Sequence, residues 1–319
     1  MISLAVLLAG FVVIIYGANL LVDSASSLAK RLNVPNIVIG LTIVAFGTSA
    51  PELTINIFAS LKNNSDIALG NIVGANIFNI AGIVGISAIL YPVAVKPKTT
   101  WIEIPLCFLS ALVIVVISFD GLLDSERVSA IKRTDGIILL LFFIIFLGYI
   151  IRFMITSKND EEETSIKQYS VGLSILLIIA GLAILILGGR LVVVSAVSLA
   201  QQIGLSERVI ALTIVSIGTS FPELAISIIA ARKKSVDLAI GNIVGSNIFN
   251  AFFILGVSAV ISPIIVYEKS FFDLCVNLAI SFLLFFFIFT GKGRKIDRTE
   301  GIIFLALYIG YLTVLLKMA

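Results

Sequence analysis

The sequence predicts an all-α polytopic membrane protein of ten transmembrane helices, arranged as two inverted five-helix repeats with broken helices at mid-membrane. Three observations predict it. Of the 319 residues 59% are hydrophobic and 13% charged, with a mean hydropathy of +1.16, far more apolar than a soluble domain. The apolar runs are long and unbroken rather than alternating, which selects helices over a β-barrel. The chain also repeats itself at an offset of 171 residues.

In chain order the candidate spans are 2–22, 37–61, 67–91, 101–118, 134–155, 169–196, 208–231, 238–262, 271–290 and 299–317. The first has the length of a signal peptide, but no positive charge precedes it. Its Ile15-Tyr16-Gly17 recurs in outline as Ile186-Leu187-Gly188, so it reads as a span. Residues 38–57 align without a gap on 209–228. Gly70-Asn71-Ile72-Val73-Gly74-Ala75-Asn76-Ile77-Phe78-Asn79 matches Gly241-Asn242-Ile243-Val244-Gly245-Ser246-Asn247-Ile248-Phe249-Asn250 at all but one position, and Asp66 and Asp237 precede the two blocks at equal distance. Arg133-Thr134-Asp135-Gly136 echoes Arg298-Thr299-Glu300-Gly301, so the last spans of the halves correspond as well. Five spans per half is an odd number, and the second half must therefore enter the membrane upside down.

The expected domains are a first repeat over 1–157, a cytoplasmic linker over 158–168 and a second repeat over 169–319. Asp160-Glu161-Glu162-Glu163 in the linker reads as a solvated charge run. Lysine and arginine concentrate in the loops that lie inside if the N-terminus is outside, so both termini are expected outside a cell membrane. The net charge of +3 sits in short loops and fits membrane orientation, not nucleic-acid binding. There is no histidine, which removes the usual zinc ligand and neutral-pH proton shuttle. Cys107 and Cys275 each sit in an apolar run and form no disulfide framework or metal spacing.

The chemistry concentrates in Gly47-Thr48-Ser49-Ala50-Pro51-Glu52 and its copy Gly218-Thr219-Ser220-Phe221-Pro222-Glu223. An acid at mid-membrane is costly and reads as functional. Gly47 and Pro51 disfavour a continuous helix, and a break is expected to free carbonyl oxygens from Ala45 to Thr48 and from Ser216 to Thr219. Such oxygens, with the Ser49 and Ser220 hydroxyls and the Glu52 and Glu223 carboxylates, are hard ligands for sodium or calcium. The competing reading is structural: Ser49-x-x-Glu52 and Ser220-x-x-Glu223 each fit a capping box with proline in the first turn. The two readings are compatible if the cap orients the glutamate. Asn79 and Asn250 lie near the centres of their spans and are expected to line the site, with Ala75 and Ser246 one turn before them. Asn71, Asn76, Asn242 and Asn247 read as interhelical hydrogen-bonders, and Gly70, Gly74, Gly241 and Gly245 as close-packing positions. Asn19, Asn56, Arg190, Asp273 and Asn277 have no like counterpart in the other half and read as packing or snorkelling residues.

The paired Gly-Thr-Ser-x-Pro-Glu and Gly-Asn-Ile-Val-Gly-x-Asn-Ile-Phe-Asn blocks resemble the two alpha repeats of the calcium/cation antiporter superfamily, in its branch of prokaryotic sodium/calcium exchangers. The resemblance covers the whole chain. It implies ten helices, a central site between the second, third, seventh and eighth, and alternating access by sliding of the first and sixth. It implies cation ligation by Glu52, Glu223, Thr48, Ser49, Thr219, Ser220, Asn79 and Asn250; the reading of the residues adds the Ser246 hydroxyl and the carbonyls at Ala45 and Ser216. Ala75 departs from the serine of many members, both asparagine positions are neutral here, and the large cytosolic calcium-sensing region of animal relatives is absent.

The expected function is a sodium/calcium antiporter, electrogenic if three sodium ions exchange for one calcium as the family implies. It is not an enzyme, and no cofactor, nucleic acid or obligate protein partner is expected beside the transported Ca2+ and Na+ ions and the lipid bilayer. The alternatives are a proton/calcium exchanger, because two buried glutamates can also take up protons, and a cation channel using the same acids as a selectivity ring. An intramembrane hydrolase is disfavoured: there is no histidine and no Ser-Lys pair at plausible spacing.

Overall fold

The computed structural model describes residues 2–97, 99–119, 129–156, 168–202, 216–290 and 293–318. Among them the chain is almost wholly helical: α1 (Ile2–Leu32), α2 (Asn36–Thr48), α3 (Ala50–Leu61), α4 (Ser65–Leu90), α5 (Thr99–Ser118), α6 (Arg133–Thr156), α7 (Val171–Gln202), α8 (Ser216–Thr219), α9 (Phe221–Arg232), α10 (Val236–Ile261), α11 (Glu268–Phe287) and α12 (Arg298–Met318). Two-residue strands β1 (Val93–Ala94), β2 (Ala130–Ile131), β3 (Ile264–Ile265) and β4 (Lys295–Ile296) lie between them. Among the described residues eight helices are long and apolar enough to cross a membrane, and α2 with α3, bent by 48°, makes a ninth if the pair is one span. The expected span 208–231 begins outside the described residues, which hold its continuation as α8 and α9. The expected linker also lies almost wholly outside them.

Helix α1 runs ten residues past the expected end at 22. Hydropathy falls there because the chain turns to serine, yet Ser24, Ser26 and Ser27 are buried. Ser24 Oγ satisfies itself on the Leu20 carbonyl at 2.7 Å, and Asp23 pairs with Lys233 at 2.6 Å. Polarity inside this protein therefore does not mark the end of a helix.

Burial separates centre from rim. The apolar windows of α4 and α10 are each 83% buried, whereas those of the other long helices are 28–39% buried. The rim helices α6 and α7 turn Ile144, Ile145, Leu176 and Ile179 outward, as lipid-facing surfaces require. Two apolar clusters fill the interior. One gathers α4, α5, α6, α10, α11 and α12; the other is built on the pair α1 and α7, with residues of α2, α9 and α10 against it. In that pair Gly17 and Gly188 give α1 and α7 their close approach, since a Cβ on either would meet the partner's Ile184 or Ile14 side chain at 2.9 or 2.8 Å.

Contacts between the halves are reciprocal. Strand β1 pairs with β4, and β3, which is 171 residues after β1, pairs with β2. Main-chain bonds Val95 N to Arg294 O (2.7 Å) and Val266 N to Ser129 O (2.9 Å) extend the two ladders alike. Each half is thus stitched to the other beside its fourth and fifth spans.

Candidate cation site

The two motif copies end one short helix and begin the next. Helix α2 stops at Thr48, Ser49 turns the chain (φ −82°, ψ 10°), and α3 starts at Ala50 with Pro51 in its first turn. Ser220 does the same between α8 and α9 (φ −91°, ψ 11°). Proline is tolerated there because a first-turn N–H has no intrahelical partner to lose. The glycines are not the breakpoints: Gly47 and Gly218 lie inside the helical turns Ala45–Thr48 and Ser216–Thr219, where they make room for Leu182 and Val193 of α7.

The capping-box expectation is overturned. Neither Ser49 nor Ser220 caps its helix with its side chain. A capping serine needs an extended ψ, and both serines sit near ψ 10° instead. Their hydroxyls reach across the molecule: Ser49 Oγ lies 3.3 Å from Glu223 Oε1 and Ser220 Oγ 3.3 Å from Glu52 Oε1. Thr48 likewise faces Glu223, and Thr219 faces Glu52. Each half's hydroxyls therefore serve the other half's acid.

Both carboxylates are 1% exposed, and no lysine or arginine pairs with them among the described residues. Behind each stands an asparagine brace. Asn71 Nδ2 donates to the Glu52 main-chain carbonyl (3.3 Å) and to Asn56 Oδ1 (2.7 Å). Asn242 Nδ2 donates to the Glu223 carbonyl (3.3 Å) and to Ser227 Oγ (3.2 Å), and Asn242 Oδ1 faces the Thr48 hydroxyl at 3.3 Å. Asn56 is not a mere packing residue. Its mate 171 residues on is Ser227, a different residue doing the same job, and matching by acceptor capacity instead of residue type finds the pair.

Helices α4 and α10 carry π-helical segments over Phe78–Val84 and Phe249–Ile254, each with the asparagine expected in the site as its second residue. Such bulges recur at functional positions because they rotate a side chain out of the regular helical series. Helix α9 packs on the segment with Asn79, and α3 on the segment with Asn250. Both asparagines are 1% exposed and tied by Nδ2, Asn79 to Asn247 Oδ1 (2.9 Å) and Asn250 to Asn76 Oδ1 (3.0 Å).

On the two glutamates and these two asparagines, four buried oxygens remain without a hydrogen-bond donor: Glu52 Oε2, Glu223 Oε2, Asn79 Oδ1 and Asn250 Oδ1. A buried acceptor left unpaired costs about 1–3 kcal/mol, more when charged. Carboxylate and amide oxygens are the donor types that a hard cation takes. Among the described residues no three of His, Cys, Asp and Glu converge.

The other expected ligands divide. Ser246, fully buried on α10, places Oγ 3.5 Å from the Ala45 carbonyl oxygen, so these two come together. That carbonyl is not free, since Ser49 N (3.1 Å) and Thr48 Oγ1 (3.2 Å) also approach it. Ser216 supplies backbone to α8, and its side chain lies outside the described residues. Ala75, Ser246's mate, is buried and brings no oxygen. Gly241 and Gly245 are close-packing positions against α2 as expected, but Gly70 and Gly74 have no described neighbour within 4 Å of an added Cβ. They line a cavity of about 320 Å3 together with Asp66, Asn71, Thr219 and Asp273, whose carboxylate accepts from Tyr311 at 3.0 Å. A second cavity of about 490 Å3, mostly apolar, is lined by Arg190, Pro51, Pro222 and again Thr219. Thr219 thus borders both cavities outside the enclosed acids. Cys107 and Cys275 are free thiols.

The sequence profile of the family described as sodium/calcium exchanger protein matches residues 2–152 and 173–317. The chain is 32% identical over 349 aligned residues to the sodium/calcium exchanger MaX1 of Methanosarcina acetivorans, with 98% of each covered, and 34% identical over 271 residues to the inner membrane protein YrbG of Escherichia coli, with 82% of this chain and 81% of that one covered. Among solved structures it superposes on the sodium-calcium exchanger NCX_Mj soaked with 2.5 mM Na+ and 0.1 mM Ca2+, with a TM-score of 0.83 at 31% identity and 98% of both chains covered.

Proposed function

Since the chain belongs to the sodium/calcium exchanger protein family, a family of membrane transporters and not of enzymes, we propose that this cation antiporter exchanges Na+ for Ca2+ by alternating access, with Glu52 and Glu223 as its cation-binding carboxylates. The observation that carries the reading is the set of four buried acceptors without donors, two carboxylate and two amide, from positions matched across the repeat. One Ca2+ neutralises the two acids. Na+ ions on the same carboxylates compete with it, and competition for one site is what exchange requires. Thr48, Ser49, Thr219, Ser220, Asn79 and Asn250 supply neutral oxygens. Ser246 with the Ala45 carbonyl forms a further sodium locus, and the Ser216 carbonyl is the counterpart of Ala45's. Three Na+ against two acids leave +1, so the cycle is electrogenic, and 100 mV contributes about 2.3 kcal/mol per turnover.

The architecture follows from the same pairing. Ten helices form two inverted repeats, 1–157 and 169–319, joined by the cytoplasmic linker 158–168, with both termini outside the cell membrane. The reciprocal β1–β4 and β2–β3 ladders and the crossed Ser49–Glu223 and Ser220–Glu52 contacts are what a two-fold axis in the membrane plane requires. The separate apolar cluster on α1 and α7 fits a pair that slides over the remaining helices to expose the site to one side at a time.

Calcium-45 uptake into proteoliposomes, under sodium, potassium or proton gradients applied singly, tests the function. Uptake must follow an outward sodium gradient and saturate. Uptake that follows a pH gradient and ignores sodium makes the protein a proton/calcium exchanger, and non-saturating flux makes it a channel.

Two further outcomes are expected. In a cysteine-free background, Lys30→Cys and Lys62→Cys place thiols at the exposed ends of α1 and α3, and impermeant maleimides label them from opposite sides of the membrane. Labelling of both from one side contradicts the topology. Ser246→Ala removes one neutral oxygen and raises the sodium half-saturation about 3–10-fold while calcium changes less, since its strongest partners are the acids. Ala75→Ser leaves sodium affinity unchanged or strengthens it. Calcium weakening more than sodium in Ser246→Ala would remove this residue from the sodium locus.

A further inference from the structure

The two ends of an asparagine amide have the same shape, so only the hydrogen-bond network decides whether oxygen or NH2 faces a site. Here the network starts from two atoms that can only accept, the main-chain carbonyls of Asn76 and Asn247. Asn76 Nδ2 donates to Asn247 O and Asn247 Nδ2 to Asn76 O, both at 3.3 Å. That fixes both inner amides. Asn76 Oδ1 must then face Asn250, which can meet it only with Nδ2 (3.0 Å), and Asn247 Oδ1 meets Asn79 Nδ2 (2.9 Å). The Oδ1 atoms of Asn79 and Asn250 are left over, and both are buried without a donor. Turning either outer amide round would set two oxygens against each other at about 3 Å and present an NH2 in place of a ligand oxygen.

We propose that Asn76 and Asn247 are positioning residues that lock Asn79 and Asn250 oxygen-inward, so that the site offers cations acceptors only. Each works across the repeat boundary, Asn76 on Asn250 and Asn247 on Asn79. The inference rests on the reading of Asn79 and Asn250 as lining a cation site, and it assigns a role in ion selectivity to two residues whose polar atoms are spent on each other's main-chain carbonyls and on the two outer amides. A site whose amides could invert would carry its own hydrogen-bond donors in competition with Na+ and Ca2+.

The test is a double-mutant cycle on Ca2+ affinity, measured by calorimetry on the purified full-length protein with sodium as competitor. Asn76→Leu keeps the volume but removes both polar ends, freeing the Asn250 amide, and Ca2+ affinity falls about tenfold or more. In an Asn250→Leu background the same Asn76→Leu change has little further effect, because it acts only through that amide. Asn247→Leu and Asn79→Leu form the second cycle with the same pattern. Asn76→Ser keeps one donor and one acceptor and recovers most of the affinity; it also serves if Asn76→Leu does not yield monodisperse protein. Equal losses from Asn76→Leu in both backgrounds, or full affinity in Asn76→Leu and Asn247→Leu, overturn the proposal. Wild-type protein that binds Ca2+ without sodium competition overturns instead the exchanger reading beneath it.

Discussion

Glu52→Gln and Glu223→Gln each abolish sodium-driven calcium uptake in proteoliposomes while the protein still inserts and purifies as a folded species. Glutamine keeps the side-chain length and an oxygen for the Ser220 or Ser49 hydroxyl, now 3.3 Å from Oε1. It removes one of the two charges that balance Ca2+ and converts a ligand oxygen into an NH2. Breaking one side of a buried charge interaction costs about 3–5 kcal/mol, which is at least ~100-fold in affinity. The folding side has the opposite sign. Without cation, two buried acids with unpaired Oε2 atoms destabilise the native state, so the variants melt no lower than wild type in chelator. Added calcium raises the melting temperature of wild type and leaves theirs unmoved. Near-normal exchange in both variants would return these glutamates to a structural role. A loss of folding in both would show that the charges, and not only the ion, hold the helix crossing.

The second large effect is steric. A Cβ at Gly245 would lie 2.7 Å from Leu41 Cα and 2.8 Å from Ala45 Cβ, so backbone and not a flexible side chain has to move. Gly245→Val forces α10 off α2 at the point where Ser246 meets the Ala45 carbonyl. Overpacking of this kind destabilises by about 1–3 kcal/mol. Transport suffers more, because ligands displaced by ~1 Å no longer close on one ion, and exchange falls by an order of magnitude or more. Gly148→Ala in α6, where no described atom lies within 4 Å of the added carbon, is the control and leaves exchange and melting temperature near wild type. Equal tolerance at both positions would mean that the α2–α10 contact does not position the site.

What the sequence made legible was whatever repeats or is apolar. The 171-residue offset located both acids and both asparagines without any coordinates, and hydropathy placed the ends of most described spans within three residues. Two kinds of feature were hidden. The first is helix geometry that hydropathy does not encode: the serine-rich end of α1, and the π-helical segments that begin at Phe78 and Phe249 inside uninterrupted apolar runs. The second is partnership at long range. Ser49-x-x-Glu52 read locally is a capping box, because only neighbours are visible in a string. In three dimensions Ser49 sits near ψ 10°, outside the capping geometry, and its hydroxyl donates to a carboxylate 174 residues away. Asn56 was missed for a related reason, since its partner position holds serine and the repeat was matched by residue type.

The crossed hydrogen bonds also set a schedule for biosynthesis. The side chains of Ser49, Glu52, Asn76 and Asn79 find partners in residues 219–250, and β1 finds its own at Lys295–Ile296. At ribosomal speeds of ~5–20 residues per second, a 171-residue interval lasts roughly 10–30 s. Throughout that interval the Glu52 carboxylate and the Asn76 and Asn79 amides lack the second-half partners that they have in the folded protein. Its final polar pairings form only after the second half has entered, so the nascent half-protein is the stage most exposed to quality control.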